Sequence, residues 1–559
     1  MKKKDLGLAL AGAAALSSLS ACADKTEENR QLNIIYIMCD DHSYQTISAY
    51  DTRLMQTPNI DRIAEEGYRF TNSFVANSLS GPSRACLLTG KHSHANGFKS
   101  NVTDTFDGSQ TTFPKLLQAE GYETAIIGKW HLGSSPTGFD HWDILTGQGE
   151  YYQPTFICNG DTLMRPGYVT EIITDQAIGW LEEKRDRNKP FCLLVHHKAP
   201  HRSWMPAIQD LGSYDHKEFP LPETFYDDYQ GRLAASLQEM GIYKDMNTGY
   251  DLKMADPEGE IVEDRWKWCL GMYRGGTAEG QDLRPGRMDH EQQKAWNAYY
   301  DPIIEKFRQD SLSGRELAKW KYQRYLKDYC SVINSVDRSV GKMYAYLEKE
   351  GLLENTMIIY TSDQGFFMGE HGFFDKRFMY EESFRTPLLV RLPDCMKRKR
   401  PAGSDTPVYG PDFGKEKHDI TAMVQNIDYA PTILEYAGVE IPEDMQGESF
   451  LGLMHGKTTS KMKTGEGPGW RDALYYHFYE YPAEHAVRRH YGIRTERYSL
   501  IHFYNDIDQW ELYDLQNDPL QLHNIYDSPE AKEILPELMR KLLNLQSQYG
   551  DTICQTDAL

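Results

Sequence analysis

Four short apolar runs, each stopping at charged or imidazole side chains, set the main constraint on this fold. They are residues 33–38 before Cys39-Asp40-Asp41-His42, 124–128 before Lys129-Trp130-His131, 191–196 before Lys198-Ala199-Pro200-His201, and 357–360 before Thr361-Ser362-Asp363-Gln364-Gly365. Runs this short and continuous suit strands buried on both faces. Helical patterns lie between them: one near Thr57-Pro58 that closes at Gly67, one opening at Phe113-Pro114, and a long one from about Glu316 to Lys349. The alternation predicts an α/β fold whose large domain has a mostly parallel central sheet flanked by helices, with 388–391 as a further strand and 428–437 as a further helix. Ligands of such sheets collect outside the strand C-termini, where these polar clusters stand.

The stretch Ser80-Gly81-Pro82-Ser83-Arg84 begins another helix. Pro82 suits a first helical turn, which places Ser80 at or just before the N-cap, beside free backbone N–H groups that attract anions.

With 559 residues the chain exceeds one small core and predicts a large domain with a small companion. The catalytic unit is expected over 32–460, including a polar, strand-poor insertion from about Trp204 to Gly314 that borders the pocket. A Gly- and Lys-rich linker near residue 460 separates it from a C-terminal α+β unit over 461–559, with short antiparallel strands and a helix from about 529 to 549. The basic run Lys397-Arg398-Lys399-Arg400 reads as solvated linker. A net charge of −21 argues against nucleic acid as partner, so an anionic substrate needs a locally positive pocket.

Residues 1–21 read as a signal peptide: Lys2, Lys3 and Lys4 precede an apolar run too short to span a bilayer. Leu19-Ser20-Ala21-Cys22 is similar to a bacterial lipoprotein signal, in which Cys22 is lipidated, with 22–31 as tether; a plain secretory signal is the alternative. Either form implies export to the periplasm or the outer membrane, with membrane contact only through the lipid. The eight other cysteines, with no Cys-x-x-Cys pair, permit disulfides without showing any.

Asp40, Asp41, Asp363 and Gln364 supply hard oxygen donors suited to Ca²⁺ or Mg²⁺. Arg84, Lys129, His131, His201 and Lys376 follow strand ends or helix starts, and burying such groups calls for an anion or a metal-bound acid. Together they point to metal-assisted cleavage of a phosphate or sulfate ester with a Ser-type nucleophile.

Ser80-x-Pro82-Ser83-Arg84 with Leu87-Leu88-Thr89-Gly90 resembles the signature of type I sulfatases of the alkaline-phosphatase superfamily. The likeness continues through Gly128-Lys129-Trp130-His131, Ala199-Pro200-His201, Ser362-Asp363-Gln364-Gly365, Gly369-Glu370-His371-Gly372, Tyr380-Glu381-Glu382 and Glu511-Leu512-Tyr513-Asp514-Leu515. It implies that a maturase oxidises Ser80 to formylglycine and that Asp40, Asp41, Asp363, Gln364 and modified Ser80 hold one Ca²⁺; Gln364 stands where relatives have Asn. It further implies that one hydroxyl of the hydrated aldehyde attacks sulfur and the other expels sulfate. Arg84 then steadies the nucleophile, Lys129 and Lys376 neutralise sulfate oxygens, His131 contacts the formylglycine hydroxyl, and His201 is the general acid. Segments 375–391 and 199–204 look most like exo-acting sulfatases of N-acetylglucosamine-6-sulfate in glycosaminoglycan or mucin glycans, with Asp375 and Arg377 gripping sugar hydroxyls and His371, His485 and Arg488 as further sugar contacts. Sulfatases of other sugar positions, phosphatases or phosphodiesterases of the superfamily, and a non-catalytic glycan-binding lipoprotein are the rival readings.

Overall fold

The computed structural model describes residues 32–254, 287–396, 418–455 and 469–552. The signal peptide, Cys22 with its tether, the basic run 397–400, the boundary near 460, Cys269 and Cys554 lie outside them.

The main sheet has ten strands: β1 (Asn33–Cys39), β2 (Tyr68–Phe70), β4 (Glu123–Gly128), β5 (His141–Leu145), β6 (Thr155–Cys158), β7 (Asp161–Met164), β8 (Phe191–His196), β9 (Thr356–Ser362), β10 (Leu388–Arg391) and β11 (His418–Ile420). A small parallel pair is formed by β3 (Ser73–Phe74) and β12 (Val424–Gln425). The order across the large sheet is β11-β2-β10-β9-β1-β8-β4-β5-β6-β7. Its centre, β9-β1-β8-β4-β5, is parallel, so β1, β4, β8 and β9 deliver their C-terminal residues to one edge.

Period-two side-chain alternation splits the interior into two cores. Ile35, Ile37, Leu193, Val195 and Ile358 face the helices Pro58–Glu65, Val169–Gly179 and Gly314–Lys349. Ile34, Tyr36, Leu194, Ile126 and Ile359 face Ser80–Thr89, Phe113–Ala119 and Tyr429–Ala437. The 204–314 insertion is not wholly irregular: a helix runs over His290–Asp310, opened by a reciprocal Asp289/Gln292 capping box. Helix Val169–Gly179 and strands β5–β7 also lie where no element was expected from the sequence. Among the described residues no helix is long and apolar enough to cross a membrane, and the cysteines at 39, 86, 158, 192, 330 and 395 are free.

Toward the C-terminus, β13 (Ala473–Phe478), β14 (His490–Thr495), β15 (Tyr498–Phe503) and β16 (Gln509–Asp514) form an antiparallel sheet in sequence order. Tyr475, Ile493, Leu500 and Leu512 pack against the helix Ala531–Tyr549, whereas Leu474, Tyr476, Phe478 and Ile501 join the first core of the large sheet. Asp551 closes the arrangement, accepting hydrogen bonds from Tyr475 Oη and His477 Nδ1, both at 2.7 Å. Burial opposes ionisation of Asp551, but His477 and His94 outweigh it and hold its pKa below the usual carboxylate value. A depressed carboxyl stabilises the fold above its unfolded pKa and loses that contribution as the pH falls through its folded pKa. Asp551→Asn is therefore expected to cost about 1–3 kcal/mol in urea unfolding at pH 7, with the deficit shrinking once the pH drops below about 4; a pH-independent deficit contradicts the assignment.

Candidate active site

Asp40 and Asp41 follow β1, Lys129 and His131 follow β4, His201 follows β8, and Asp363 and Gln364 follow β9. Lys129 depends on Gly128, whose φ is +108° and where a Cβ would sit 1.9 Å from the His196 carbonyl oxygen. Only glycine allows β4 and β8 to approach so closely.

The helix Ser80–Thr89 enters from the second core, and Leu79 is its N-cap. Ser80 is thus the first helical residue and not the cap expected from the sequence. Its hydroxyl is free of the helix backbone and donates to Asp40 Oδ1 at 3.2 Å. One turn on, Arg84 donates through Nε and Nη2 to Asp363 Oδ2 at 3.1 and 2.9 Å and through Nη1 to the Lys129 carbonyl at 2.9 Å.

Each central carboxylate meets a cation: Asp40 with the Lys129 ammonium, Asp41 with Lys376 at 2.6 Å from both oxygens, and Asp363 with Arg84. All six side chains are buried. Burial raises the Asp40 pKa, but Lys129, His201 and Arg84 overcome it and keep the group ionised. Burial also pushes Asp41 up to about 7 and Asp363 up to about 6, reinforced by the neighbouring carboxylates. Lys129 is pushed down by burial, while Lys376 is held up by Asp375 and Asp41 against the same effect.

The donor set of the cluster, three carboxylates and an amide, fits a hard divalent cation. Gln364 donates through Nε2 to Asp41, leaving its buried Oε1 with no partner. A buried amide oxygen without a hydrogen-bond partner, on a side chain bound to Asp41, is a donor of the kind a hard cation takes. Asp40, Asp41 and His201 each offer a donor atom within 4.8 Å of one another, so an imidazole reaches the cluster where sequence reading placed only oxygens.

His201 Nδ1 faces the Arg202 carbonyl at 2.6 Å, an acceptor only, which puts the proton on Nδ1 and leaves the Nε2 lone pair 3.8 Å from Asp41 Oδ2. Burial holds the ring neutral. The His131 ring is likewise kept neutral by burial and then by Lys129, and its Nδ1 has no partner.

A second group adjoins Lys376. Asp375 accepts from Arg377 Nη1 at 2.5 Å and lies 3.1 Å from His485 Nε2. Burial opposes its ionisation, but Lys376, Arg377 and His485 keep its pKa well below the usual range. Arg377 reaches Glu484 at 3.3 Å while its buried Nε stays unpartnered. Glu484, with a side chain 54% exposed, marks the rim.

His371 and Arg488 are not brought to this group by any of their contacts. His371 is fully buried, with Nδ1 bound to Asp227 at 2.7 Å, and Arg488 is taken up by Asp506 and by the carbonyls of Leu237 and Ala486. Five residues here, Gln148, Lys198, Arg202, Asp251 and Glu484, were not singled out as site residues from the sequence. Gln148 accepts from Lys129 at 2.5 Å, and the buried Lys198, pushed down to about 8 by burial and then by Lys129, donates to the Gln148 carbonyl. Arg202 ties Asp251 to Glu484 beside His485. Of these, Lys198 lay in a motif, two residues before Pro200, and Arg202 lay in the 199–204 segment singled out from the sequence.

The sulfatase family pattern matches residues 32–439, and that of the N-sulphoglucosamine sulphohydrolase C-terminal region matches 369–548. The chain belongs to the sulfatase family. It is a sulfuric ester hydrolase. An N-acetylglucosamine-6-O-sulfatase of Bacteroides thetaiotaomicron is 49% identical to this sulfatase over 541 residues, covering 96% of this chain and 90% of that one. The N-acetylglucosamine-6-sulfatase of Capra hircus is 26% identical over 578 residues, 94% of this chain and 85% of the relative. Among solved structures, BT4656 in complex with its substrate D-glucosamine-2-N,6-O-disulfate superposes with a TM-score of 0.83 at 47% identity, covering 94% of this sulfatase and 99% of that chain.

Proposed function

We propose that this sulfatase removes the 6-O-sulfate from terminal N-acetylglucosamine-6-sulfate units of glycosaminoglycan or mucin glycans, using formylglycine made from Ser80 and one Ca²⁺. The observation that carries the reading is the convergence of Ser80, Arg84, Lys129 and Lys376 on three buried carboxylates, in a chain 49% identical to a relative named for that activity.

Asp40, Asp41, Asp363, Gln364 and position 80 would hold the cation, which supplies Lewis-acid polarisation when bound. The hydrated aldehyde supplies two hydroxyls on one carbon, one to attack sulfur and one to help expel sulfate. Arg84, fixed by Asp363 and the Lys129 carbonyl, adds positive charge one helical turn from position 80. Lys129 and Lys376, which reach Asp40 and Asp41 in the cluster, would neutralise sulfate oxygens. His201 needs a proton to act as general acid, and a sulfate anion bound beside it would raise its proton affinity. Asp375 and Arg377, paired beside Lys376, would hold sugar hydroxyls together with His485, a reading that their contacts support.

We further propose that the protein is an exported lipoprotein carried on acylated Cys22, matured by a formylglycine-generating enzyme. Cys22→Ser is expected to move it from the membrane to the soluble fraction.

A panel of 2-, 3-, 4- and 6-sulfated monosaccharides tests the substrate. Only the 6-sulfated N-acetylglucosamine is expected to turn over efficiently, and Asp375→Ala or Arg377→Ala is expected to lower kcat/KM about 10²-fold. Preference for another sulfate position, or unchanged kinetics in both variants, rejects the assignment.

A further inference from the structure

A cavity of about 430 Å³ has Phe225, Tyr226, Tyr229, Tyr243, Lys244 and Arg315 among its walls and contains none of the central carboxylates or cations. Its volume falls within the roughly 300–1,000 Å³ of small-ligand sites. The backbone of 239–242 links it to the sugar end of the active site. The Glu239 backbone N–H donates to the His485 carbonyl at 2.7 Å, and the His485 ring returns a contact to the Glu239 carbonyl at 2.8 Å. Ile242 donates to the Gly372 carbonyl at 2.8 Å, and Phe374 donates to the Met240 carbonyl at 3.0 Å.

The chemistry of the walls is specific. Tyr226 and Tyr243 are 44% and 51% exposed, offering flat apolar faces. Tyr229 is held rigid by stacking on Phe373 and by donating to the His371 carbonyl. The Arg315 guanidinium lies 4.6 Å from the Tyr226 ring centroid. Of the wall carboxylates, Asp227 is neutralised by Arg232 and bound to His371, whereas Asp245 accepts from the Gly241 N–H at 2.9 Å and keeps its charge within reach of Lys244. Lys244 and Arg315 make no ion pair with a carboxylate among the described residues. On a chain of net charge −21, two exposed cations against the one unneutralised wall carboxylate, beside exposed aromatic faces, favour an anion locally.

We propose that this cavity is a second binding site for an acidic sugar unit, sulfated or carboxylated, belonging to the same glycan whose terminal unit enters the active site; the proposal rests on the carbohydrate-sulfatase reading. The tyrosine faces take the sugar ring, Lys244 and Arg315 take its anion, and the Gly241 wall joins this unit to the one held by His485.

The test measures binding of a heparin-derived tetrasaccharide and of its desulfated, carboxylate-only counterpart, beside hydrolysis of N-acetylglucosamine-6-sulfate. Wild type is compared with Lys244→Ala, Arg315→Gln and the double variant. Both substitutions are on exposed side chains, and thermal melting of each variant checks the fold. The double variant is expected to bind the sulfated tetrasaccharide about tenfold more weakly, with a shallower salt dependence and monosaccharide kcat/KM within about twofold of wild type. If the loss persists with the desulfated chain, the anion recognised is a carboxylate; if it vanishes, the anion is sulfate. Unchanged tetrasaccharide affinity, or an equal loss on the monosaccharide, overturns the proposal. A wild type that binds the tetrasaccharide through Lys244 and Arg315 but does not hydrolyse the monosaccharide rejects the catalytic reading and leaves the second site standing.

Discussion

Ser80→Ala is expected to lower kcat at least about 10⁴-fold on the 6-sulfated sugar, because the variant has no oxygen to attack sulfur and nothing for a maturase to oxidise. Stability should barely change. Ser80 is a first-turn helical residue whose hydroxyl makes one 3.2 Å hydrogen bond to Asp40 and caps nothing, so its removal costs on the order of 1 kcal/mol. Ser80→Cys separates two kinds of failure: a maturase that accepts thiols restores activity, whereas one restricted to hydroxyls leaves the variant as inactive as Ser80→Ala. Turnover persisting in Ser80→Ala above a hundredth of the wild-type rate assigns the nucleophile elsewhere.

Chelation is expected to abolish activity, and Ca²⁺ to restore it, for reasons visible in the charge count. Asp40, Asp41 and Asp363 face Lys129, Lys376 and Arg84, three negatives against three positives. A divalent cation adds two positive charges, which a sulfate monoester anion and an ionised nucleophile offset. Without it the two lysines stay bound to carboxylates and are withheld from sulfate. Binding to the folded chain alone also stabilises it by mass action, by about 2.7 kcal/mol at one hundred times Kd, so the melting temperature should rise with added Ca²⁺ and fall with chelator. Gln364→Leu removes the orphaned amide oxygen while keeping the side chain's bulk. It should weaken Ca²⁺ binding, read by titration calorimetry independently of turnover. Full activity in excess chelator, with no melting shift, removes the metal from the account.

The central sheet was legible because strands buried on both faces read as continuous apolar runs, and β1, β4, β8 and β9 all do. Their polar C-terminal neighbours marked the site for the same reason: a parallel sheet leaves one edge for chemistry. Strand β7, exposed along its whole length, carried no apolar signal. Helix His290–Asp310 was missed although Asp289 and Gln292 spell its start, because its apolar face is sparse, with only Trp296, Tyr300 and Ile304 buried. Ser80 was misplaced by one position, since Pro82 is tolerated throughout the first turn and does not fix the cap. The contacts of Gln148 and Arg202 come from loops that meet only through the tertiary fold, so no local spacing announced them. His371 sat in a legible motif, but it is fully buried and its Nδ1 is bound to Asp227.

The central claim is that sulfate release depends on Ser80 converted to formylglycine. It is tested most directly by mass spectrometry of the peptide carrying Ser80, taken from preparations co-expressed with graded amounts of maturase and assayed in parallel. The account predicts that sulfate release per chain rises in proportion to the fraction of that peptide lacking two hydrogens, and extrapolates to zero at zero conversion. Full sulfate release from chains whose Ser80 remains an intact hydroxyl would contradict it.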